Sequence, residues 1–305
     1  MRIHVLGSAA GGGFPQWNCN CPMCDGLRKG TVAATARTQS SIAVSADGVD
    51  WVLFNTSPDI LLQIRSFPEL QPARALRDTA IRSIVLMDGQ VDHTTGLLML
   101  REGKVPLEIW CTAMVREDMT TGNPLFTILG HFCGVNHHEI PIPCAAPFTP
   151  QGATGLEFTA VPLTSKAAPY SPHRDNPHPG DNIGMRIRDT RSGRSVFYAP
   201  GLGAIEPHVA TELADADCVM VDGTFWTDDE MVALGISGKR ARDIGHLPQS
   251  GPGGMIDVLT PLRASRKVLI HINNTNPILD ERSPQRAELA RHGIEVAFDG
   301  MDIAL

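Results

Sequence analysis

The sequence predicts a layered α/β fold with mixed sheets, and three observations carry that prediction. Short β-branched runs recur along the chain, stretches with apolar residues three or four apart fall between them, and 42% of the 305 residues are hydrophobic. A chain of that length and apolar content can bury a full core, and 1–305 is expected to form a single domain.

The runs in the first half are RIHVLG (2–7), SSIAVSA (40–46), WVLFN (51–55), IRSIVLM (81–87) and LEIW (107–110). The second half repeats the habit with LEFTAVPL (156–163), NIGMRIRD (182–189), SVFYAP (195–200), DCVMVDG (217–223), RKVLIHI (266–272) and IEVAF (294–298). Gly, Pro or Asp bounds each of them, as strand ends require. Helical spacing is clearest at 92–101, 112–119, 204–214, 227–234, 252–262 and 281–292. The segment 164–181, with four prolines and no periodicity, reads as a long loop, the kind that covers or lines a site. A second irregular region, 119–149, contains His131, His137, His138 and two cysteines.

Charge and composition exclude several classes. A net charge of −7 with 26 scattered Lys and Arg gives no surface on which to track phosphates, so nucleic acid is not an expected partner. No apolar run approaches the roughly 20 residues of a membrane helix. The N-terminal MRIHVLGSAA is too polar for a signal-peptide core, so a cytoplasmic location is expected. The Gly7 to Gly13 stretch lacks the Lys-Ser/Thr ending of a phosphate loop, which leaves close backbone packing as its use.

Seven cysteines is an odd count, and Cys111, Cys133, Cys144 and Cys218 stand alone. Cys19, Cys21 and Cys24 lie together in NCNCPMC, inside a turn spanning 14–26. A disulfide framework fits poorly with that arrangement, whereas three thiolates so close can wrap one zinc ion. A structural zinc is therefore expected here, with its fourth ligand supplied from elsewhere.

The second cluster follows IRSIVLM, which runs into Asp88-Gly89-Gln90-Val91-Asp92-His93 and then a helix. Polar side chains at alternate positions where a strand turns into a helix can aim several ligands at one point. From spacing alone Asp92 serves equally as an acidic helix cap or as a metal ligand. His271 closes the apolar strand RKVLIHI and is followed by Asn273, Asn274 and Asn276. A satisfied core histidine is one reading of it; the asparagine-rich tail favours a polar cavity.

At these residues a family resemblance enters. GSAAGGGFPQWNCNCPMC, MDGQVDHTTGL, GHLPQSG and LIHINNTNP together resemble the B-protein family of pyrroloquinoline quinone (PQQ) biosynthesis, over essentially the whole chain. The wider superfamily it is similar to has the metallo-β-lactamase fold, a four-layer αββα sandwich of two mixed sheets. The superfamily signature after this strand is H-x-H-x-D-H. Here Asp88 and Gln90 stand where the leading histidines would be, while Asp92 and His93 match. The resemblance places Ser165 where the first metal's third histidine would fall and Pro200 where the bridging carboxylate would fall. It therefore implies one ion, held by Asp92, His93 and His271. A related phosphodiesterase branch has a similar cysteine turn that holds structural zinc, with a histidine as fourth ligand three residues after the last catalytic one. This chain has Asn274 there, so Asn274, a water or another histidine would complete the zinc site.

Two imidazoles and one carboxylate leave about three positions open, the arrangement of mononuclear Fe(II) oxygenases. The resemblance implies the same chemistry: Fe(II)- and O₂-dependent hydroxylation of the tyrosine-derived ring of a crosslinked Glu-Tyr intermediate on the way to PQQ. Asp88, Gln90, Ser165, Lys166, Arg174 and His246 are candidate substrate contacts, with His173 and His178 adding cationic character to the prolyl loop. Two other functions remain open on the sequence: a PQQ carrier that assists transport, and a metal-dependent hydrolase of phosphodiesters or lactones. The expected small-molecule partners are the PQQ precursor and O₂; a homodimer and contacts with other proteins of the pathway are compatible with the sequence.

Overall fold

The first sheet is built from β1 (Arg2–Gly7), β2 (Ser41–Ser45), β3 (Trp51–Phe54), β4 (Ile81–Val85), β5 (Leu107–Cys111) and β6 (Val135–Glu139). The second holds β7 (Leu156–Pro162), β8 (Ile183–Asp189), β9 (Ser195–Ala199), β10 (Cys218–Asp222), β11 (Arg266–Ile270) and β12 (Glu295–Val296), and the closing strand β13 (Asp302–Ala304) returns to pair with β1. These assignments come from a computed structural model that describes residues 1–144 and 146–305. Strand order is β13-β1-β2-β3-β4-β5-β6 in one sheet and β12-β11-β10-β9-β8-β7 in the other. Pairing is antiparallel from β13 to β3 and from β7 to β9, and parallel from β3 to β6 and from β9 to β12.

Alternation along each strand produces the layers. Val52 and Phe54 of β3 point between the sheets and meet Phe158, Met185, Tyr198, Met220 and Ile270 there. Leu53, one residue away, points out against Ile60, Val115, Met119 and Leu129. On the second sheet Val219, Val221 and Leu269 face outward against Val209, Leu213, Met255 and Leu289. The outer helices are α1 (Pro22–Lys29), α2 (Ile60–Ser66), α3 (Val91–Thr94), α4 (Ala113–Thr120) and α5 (Leu125–Leu129), then α6 (Pro207–Asp215), α7 (Glu230–Ala233), α8 (Met255–Leu259) and α9 (Pro284–Arg291). The result is the αββα sandwich that the resemblance implied. Central strands covered on both faces must be apolar on both, which is why β3, β10 and β11 read as continuous runs in the sequence.

The structure differs from the sequence reading in several places, among them the closing strand β13, which no expected run covers. The irregular region contains β6, whose VNHHE sequence lacks apolar alternation because it is a sheet edge. The short helices α1, α2 and α5 also went unread; α1 and α5 lie in the cysteine turn and in the irregular region. The strand expected over 294–298 is confined to Glu295–Val296. The helix expected over 92–101 is one α turn followed by a 3-10 segment, Thr95–Leu100. There Gly96 N–H donates to Thr56 O at 2.9 Å and Thr56 N–H to His93 O at 2.6 Å, locking the segment onto the loop after β3. Among the described residues no helix is long and apolar enough to cross a membrane.

A Cβ on Gly96 would lie 2.0 Å from the backbone oxygen of Ser57, with no flexible atom to yield. Gly96→Ala is expected to destabilise the protein by about 1–3 kcal/mol or more, read as a lowered thermal midpoint; an unchanged midpoint would contradict this packing.

Candidate metal centres

Parallel strands deliver their following loops to one end of a sheet, and Asp92, His93 and His271 lie beyond the ends of such strands, β4 and β11. After β4, Met87 N–H donates to Asn55 Oδ1 at 3.0 Å, and Asp88 bridges to Asn182 at the start of the second sheet's β8. Gln90 N–H then donates to Asp88 Oδ1 at 2.9 Å and starts α3 as its cap residue. The cap position is thus taken by Gln90, and Asp92 sits within the first helical turn with its carboxylate turned to the histidines. The loop from the N-terminus closes over it: a Cβ on Gly11 would lie 3.3 Å from the Asp92 carboxylate.

Asp92, His93 and His271 offer ligand atoms that all lie within 4.8 Å of one another. Asp92 Oδ2 is 3.6 Å from His93 Nε2 and 3.4 Å from His271 Nε2. Both histidines are buried, their rings 5.3 Å apart at 73°. His93 Nδ1 lies 2.8 Å from both oxygens of Asp88, so in the neutral ring it carries the proton and leaves Nε2 bare. That Nε2 is buried with no hydrogen-bond partner among the described residues. A buried acceptor without a donor is costly, and an ion at this point would satisfy it.

His271 is oriented by a longer relay. Its Nδ1 is 3.0 Å from Thr224 Oγ1, which lies 2.5 Å from Asp222 Oδ1. The single hydroxyl proton goes to the carboxylate, the stronger acceptor, so Thr224 accepts from Nδ1–H and His271 Nε2 keeps its lone pair. His271 adopts φ +61°, a left-handed conformation that an L side chain rarely takes and that marks strain held in place by its surroundings. Ala10 N–H donating to Ile272 O, and Ile272 N–H donating to Ser8 O, each at 2.9 Å, hold that turn to the N-terminal loop. Asp299 in turn fixes Ser8 and Thr38 by accepting from the backbone and hydroxyl of each.

Asp222 escaped the sequence reading. It is fully buried at the end of β10, accepts from Leu202 N–H at 2.9 Å and faces His246 Nδ1 at 2.6 Å. His246 stacks on His271 with centroids 5.5 Å apart at 20°. Asp222, His246 and His271 form a second group within 4.8 Å that shares His271 with the first. The signal was available: Asp222 follows the apolar run CVMV as Asp88 follows IRSIVLM, each at the C-terminal end of a parallel strand.

Burial opposes charge on His93, Asp92, Asp222 and His246, and the pairings overcome it. His93 is lifted to about 9 because Asp88 and then Asp92 outweigh its desolvation. Asp92 is held well below the ordinary carboxylate range by the His93 and His271 rings against the same penalty. Asp222 is lowered by His246, and His246 raised by Asp222, again against burial.

The remaining candidates lie around this point without all facing it. Asp88 lies behind His93 rather than toward a substrate. Gln90 Nε2 donates to Lys166 O at 3.4 Å and Ser165 Oγ to Gly245 O at 3.3 Å, so the start of the prolyl loop spans from the α3 turn to the His246 loop. The Lys166 side chain is exposed. Arg174 donates to Ala167 O and so braces its own loop. His173 is bound between Asp181 at 2.9 Å and Glu117 at 3.3 Å, with His178 packed 4.7 Å from its ring.

The three cysteines also converge within 4.8 Å. Cys21 is the cap residue of α1, its sulfur accepting from Cys24 N–H at 3.5 Å, and Pro22 follows where no N–H is needed. Arg28 reaches back from α1 to the carbonyls of Gln16 and Cys19. Asn274 is buried beside the sulfurs, with Nδ2 3.3 Å from Cys24 Sγ. Among the described residues no histidine, acid or further cysteine joins the group. Soft, closely spaced sulfurs of this kind fit zinc.

Sandwich and strand topology together define a protein of the β-lactamase superfamily. A family model described as "Beta-lactamase superfamily domain" matches residues 50–272. Over the full length of both chains, the sequence is 69% identical to coenzyme PQQ synthesis protein B of Azoarcus sp. (strain BH72), and 67% identical to that of Methylobacillus flagellatus. The crystal structure of zinc-bound PqqB from Methylobacterium extorquens superposes with a TM-score of 0.89 at 34% identity, covering 100% of each chain. A diphosphatase of the PhnP family shares the fold at a TM-score of 0.68 and 18% identity, covering 99% of this chain and 97% of the other. The chain belongs to the coenzyme PQQ synthesis protein B family, and its role lies in PQQ biosynthesis.

Two outcomes follow from the orienting groups. Thr224→Val keeps the shape and removes the relay, so metal affinity at the Asp92 site is expected to fall by roughly 10–100-fold with metal at the cysteines unchanged; equal affinity would show that the relay does not orient His271. A proton on His93 competes with the ion for the same ring. With its pKa near 9, apparent affinity should rise about tenfold per pH unit between about pH 6 and 8, measured by chelator competition. A flat profile would contradict the charged state assigned to His93.

Proposed function

We propose that the protein is an Fe(II)- and O₂-dependent hydroxylase acting on the tyrosine-derived ring of a PQQ precursor. The observation that carries this reading is the buried, unpartnered Nε2 of His93, facing Asp92 together with His271 Nε2. One carboxylate and two imidazoles hold an ion on one side and leave its other side for substrate and gas. Iron(II) bound there would supply the dioxygen chemistry that amino-acid side chains lack.

The chain's own groups position and exclude. Asp88 and the Thr224–Asp222 relay fix the two rings. His246, whose Nδ1–H is held by Asp222 beside His271, can carry a second proton on Nε2 and give that one up, returning to the neutral ring. The first residues of the prolyl loop bridge Gln90 and Gly245, restrict water, and bring the Lys166 cation to the same rim for a multiply acidic substrate. Cys19, Cys21 and Cys24 hold a structural zinc that staples α1 to the strand end carrying His271. The zinc-bound state of the Methylobacterium relative supports a metal at one or both centres.

Two-metal hydrolysis fits less well. Asp88 is engaged by His93, and Ser165 Oγ is turned to a backbone carbonyl, so no second ligand set assembles from those positions.

Anaerobic loading is expected to give about one iron per chain beside the zinc, and turnover of the precursor should consume oxygen. His93→Ala or His271→Ala should abolish iron binding while leaving zinc content intact. Turnover with zinc alone in the strict absence of oxygen, or tight quinone binding without any oxygen uptake, would overturn the proposal.

A further inference from the structure

We infer that the middle of the prolyl loop, residues 170–178, is a proton-controlled strap: a doubly protonated His173 ties it to α4 beside the candidate site, and loss of one proton lets it lift. Both ends of the strap are fixed independently of that ring. At its start Gln90 Nε2 donates to Lys166 O and Ser165 Oγ to Gly245 O. At its end Thr112, the cap residue of α4, donates through Oγ1 to Gly180 O at 2.6 Å, and Asp181 is buried. Between these points Tyr170 and His173 hold the strap to the body of the protein. Tyr170 donates its hydroxyl proton to Gly89 O, in the turn that leads to Asp92 and His93, and accepts from Asn123 Nδ2 at 3.3 Å. The approach is close, since a Cβ on Gly122 would overlap the carbonyl oxygen of Tyr170.

The charge of His173 follows from where its two nitrogens point. Nδ1 is 2.9 Å from Asp181 Oδ1, within the loop, and Nε2 is 3.3 Å from Glu117 Oε2, on α4. A neutral imidazole carries one N–H, so only the imidazolium donates to both carboxylates. When a proton leaves, the closer and buried Asp181 keeps Nδ1–H, and the bare Nε2 then faces the Glu117 carboxylate, acceptor against acceptor. Deprotonation therefore removes the bond to the helix and spares the bond inside the loop.

The other groups around the ring favour its charged form. Asp118, buried on α4 next to Glu117, adds a third carboxyl, and among the described residues no Lys or Arg pairs with Glu117, Asp118 or Asp181. Against its desolvation, Asp181 and then Glu117 and Asp118 raise His173 above the ordinary imidazole value. Burial, together with Asp181 and Glu117, raises Asp118, while Ser171 and His173 pull it down. The His178 ring packs 4.7 Å away at 33°, with Asn176 Nδ2 at 3.2 Å from its Nε2. Of the charged neighbours in the chain, Arg174 is turned to Ala167 O and Asp175 is exposed. The support that His173 gives the docked strap is thus complete below the ordinary imidazole value and is lost as pH rises through its raised one. Because the docked strap lies against Gly89, its release widens the approach to the candidate site at alkaline pH.

Hydrogen exchange read by mass spectrometry on peptides from 167–181 of the full chain tests this, with each rate divided by the chemical exchange rate at the same pH. In the unaltered protein the relative rate is expected to rise at least about threefold from about pH 6 to about pH 9, while peptides from β10 and β11 stay constant. Glu117→Gln places an amide there that accepts from the charged ring and donates to the neutral one, so this variant is expected to keep the strap docked at both pH values. His173→Gln removes the titrating group and is expected to exchange at a relative rate independent of pH. Equal relative rates at both pH values in the unaltered protein, or a rise that persists in either variant, would overturn the inference.

Discussion

The site depends on one constraint: each of two buried imidazoles is held through its Nδ1 proton, so that both Nε2 lone pairs converge on Asp92. Asp88 does this for His93 directly, at 2.8 Å, and Asp222 does it for His271 through the Thr224 hydroxyl. Without those partners each ring would be free to turn or change tautomer. Such partners fix the orientation of a metal ligand and raise its basicity. Asp88 and Asp92 also favour the charged form of His93 in the metal-free pocket, and an ion bound there would displace that proton.

The fold supplies this geometry cheaply because the groups sit at the ends of parallel strands. β4 carries Asp88 and the Asp92–His93 turn, β10 ends on Asp222 and β11 leads into His271. Two sheets packed face to face bring these ends within reach of one another, and backbone bonds among Ser8, Ala10 and Ile272 stitch the N-terminal loop across the seam. The cysteine turn follows that loop directly, and Asn274 follows His271 by three residues. A metal in the turn and one in the pocket would therefore brace the same short segment from opposite sides.

Much of this was legible in the sequence. Continuous apolar runs marked the central strands because both faces are covered, and the crowding of Cys19, Cys21 and Cys24 marked their convergence. Asp92 was ambiguous between cap and ligand until the structure placed Gln90 at the cap. The edge strand β6 was invisible because an edge needs no apolar alternation. Asp222 was missed for a different reason: its partners, Thr224, His246 and His271, are gathered by tertiary packing, and only the acid at a strand end hinted at it.

X-ray absorption at the iron edge of anaerobically loaded protein tests the central arrangement most directly. The account predicts two imidazoles and oxygen donors around iron, with no sulfur, and one imidazole fewer around any iron retained by the Thr224→Val protein if His271 swings away. Sulfur scattering in the iron shell, or a single imidazole in the unaltered protein, would contradict it.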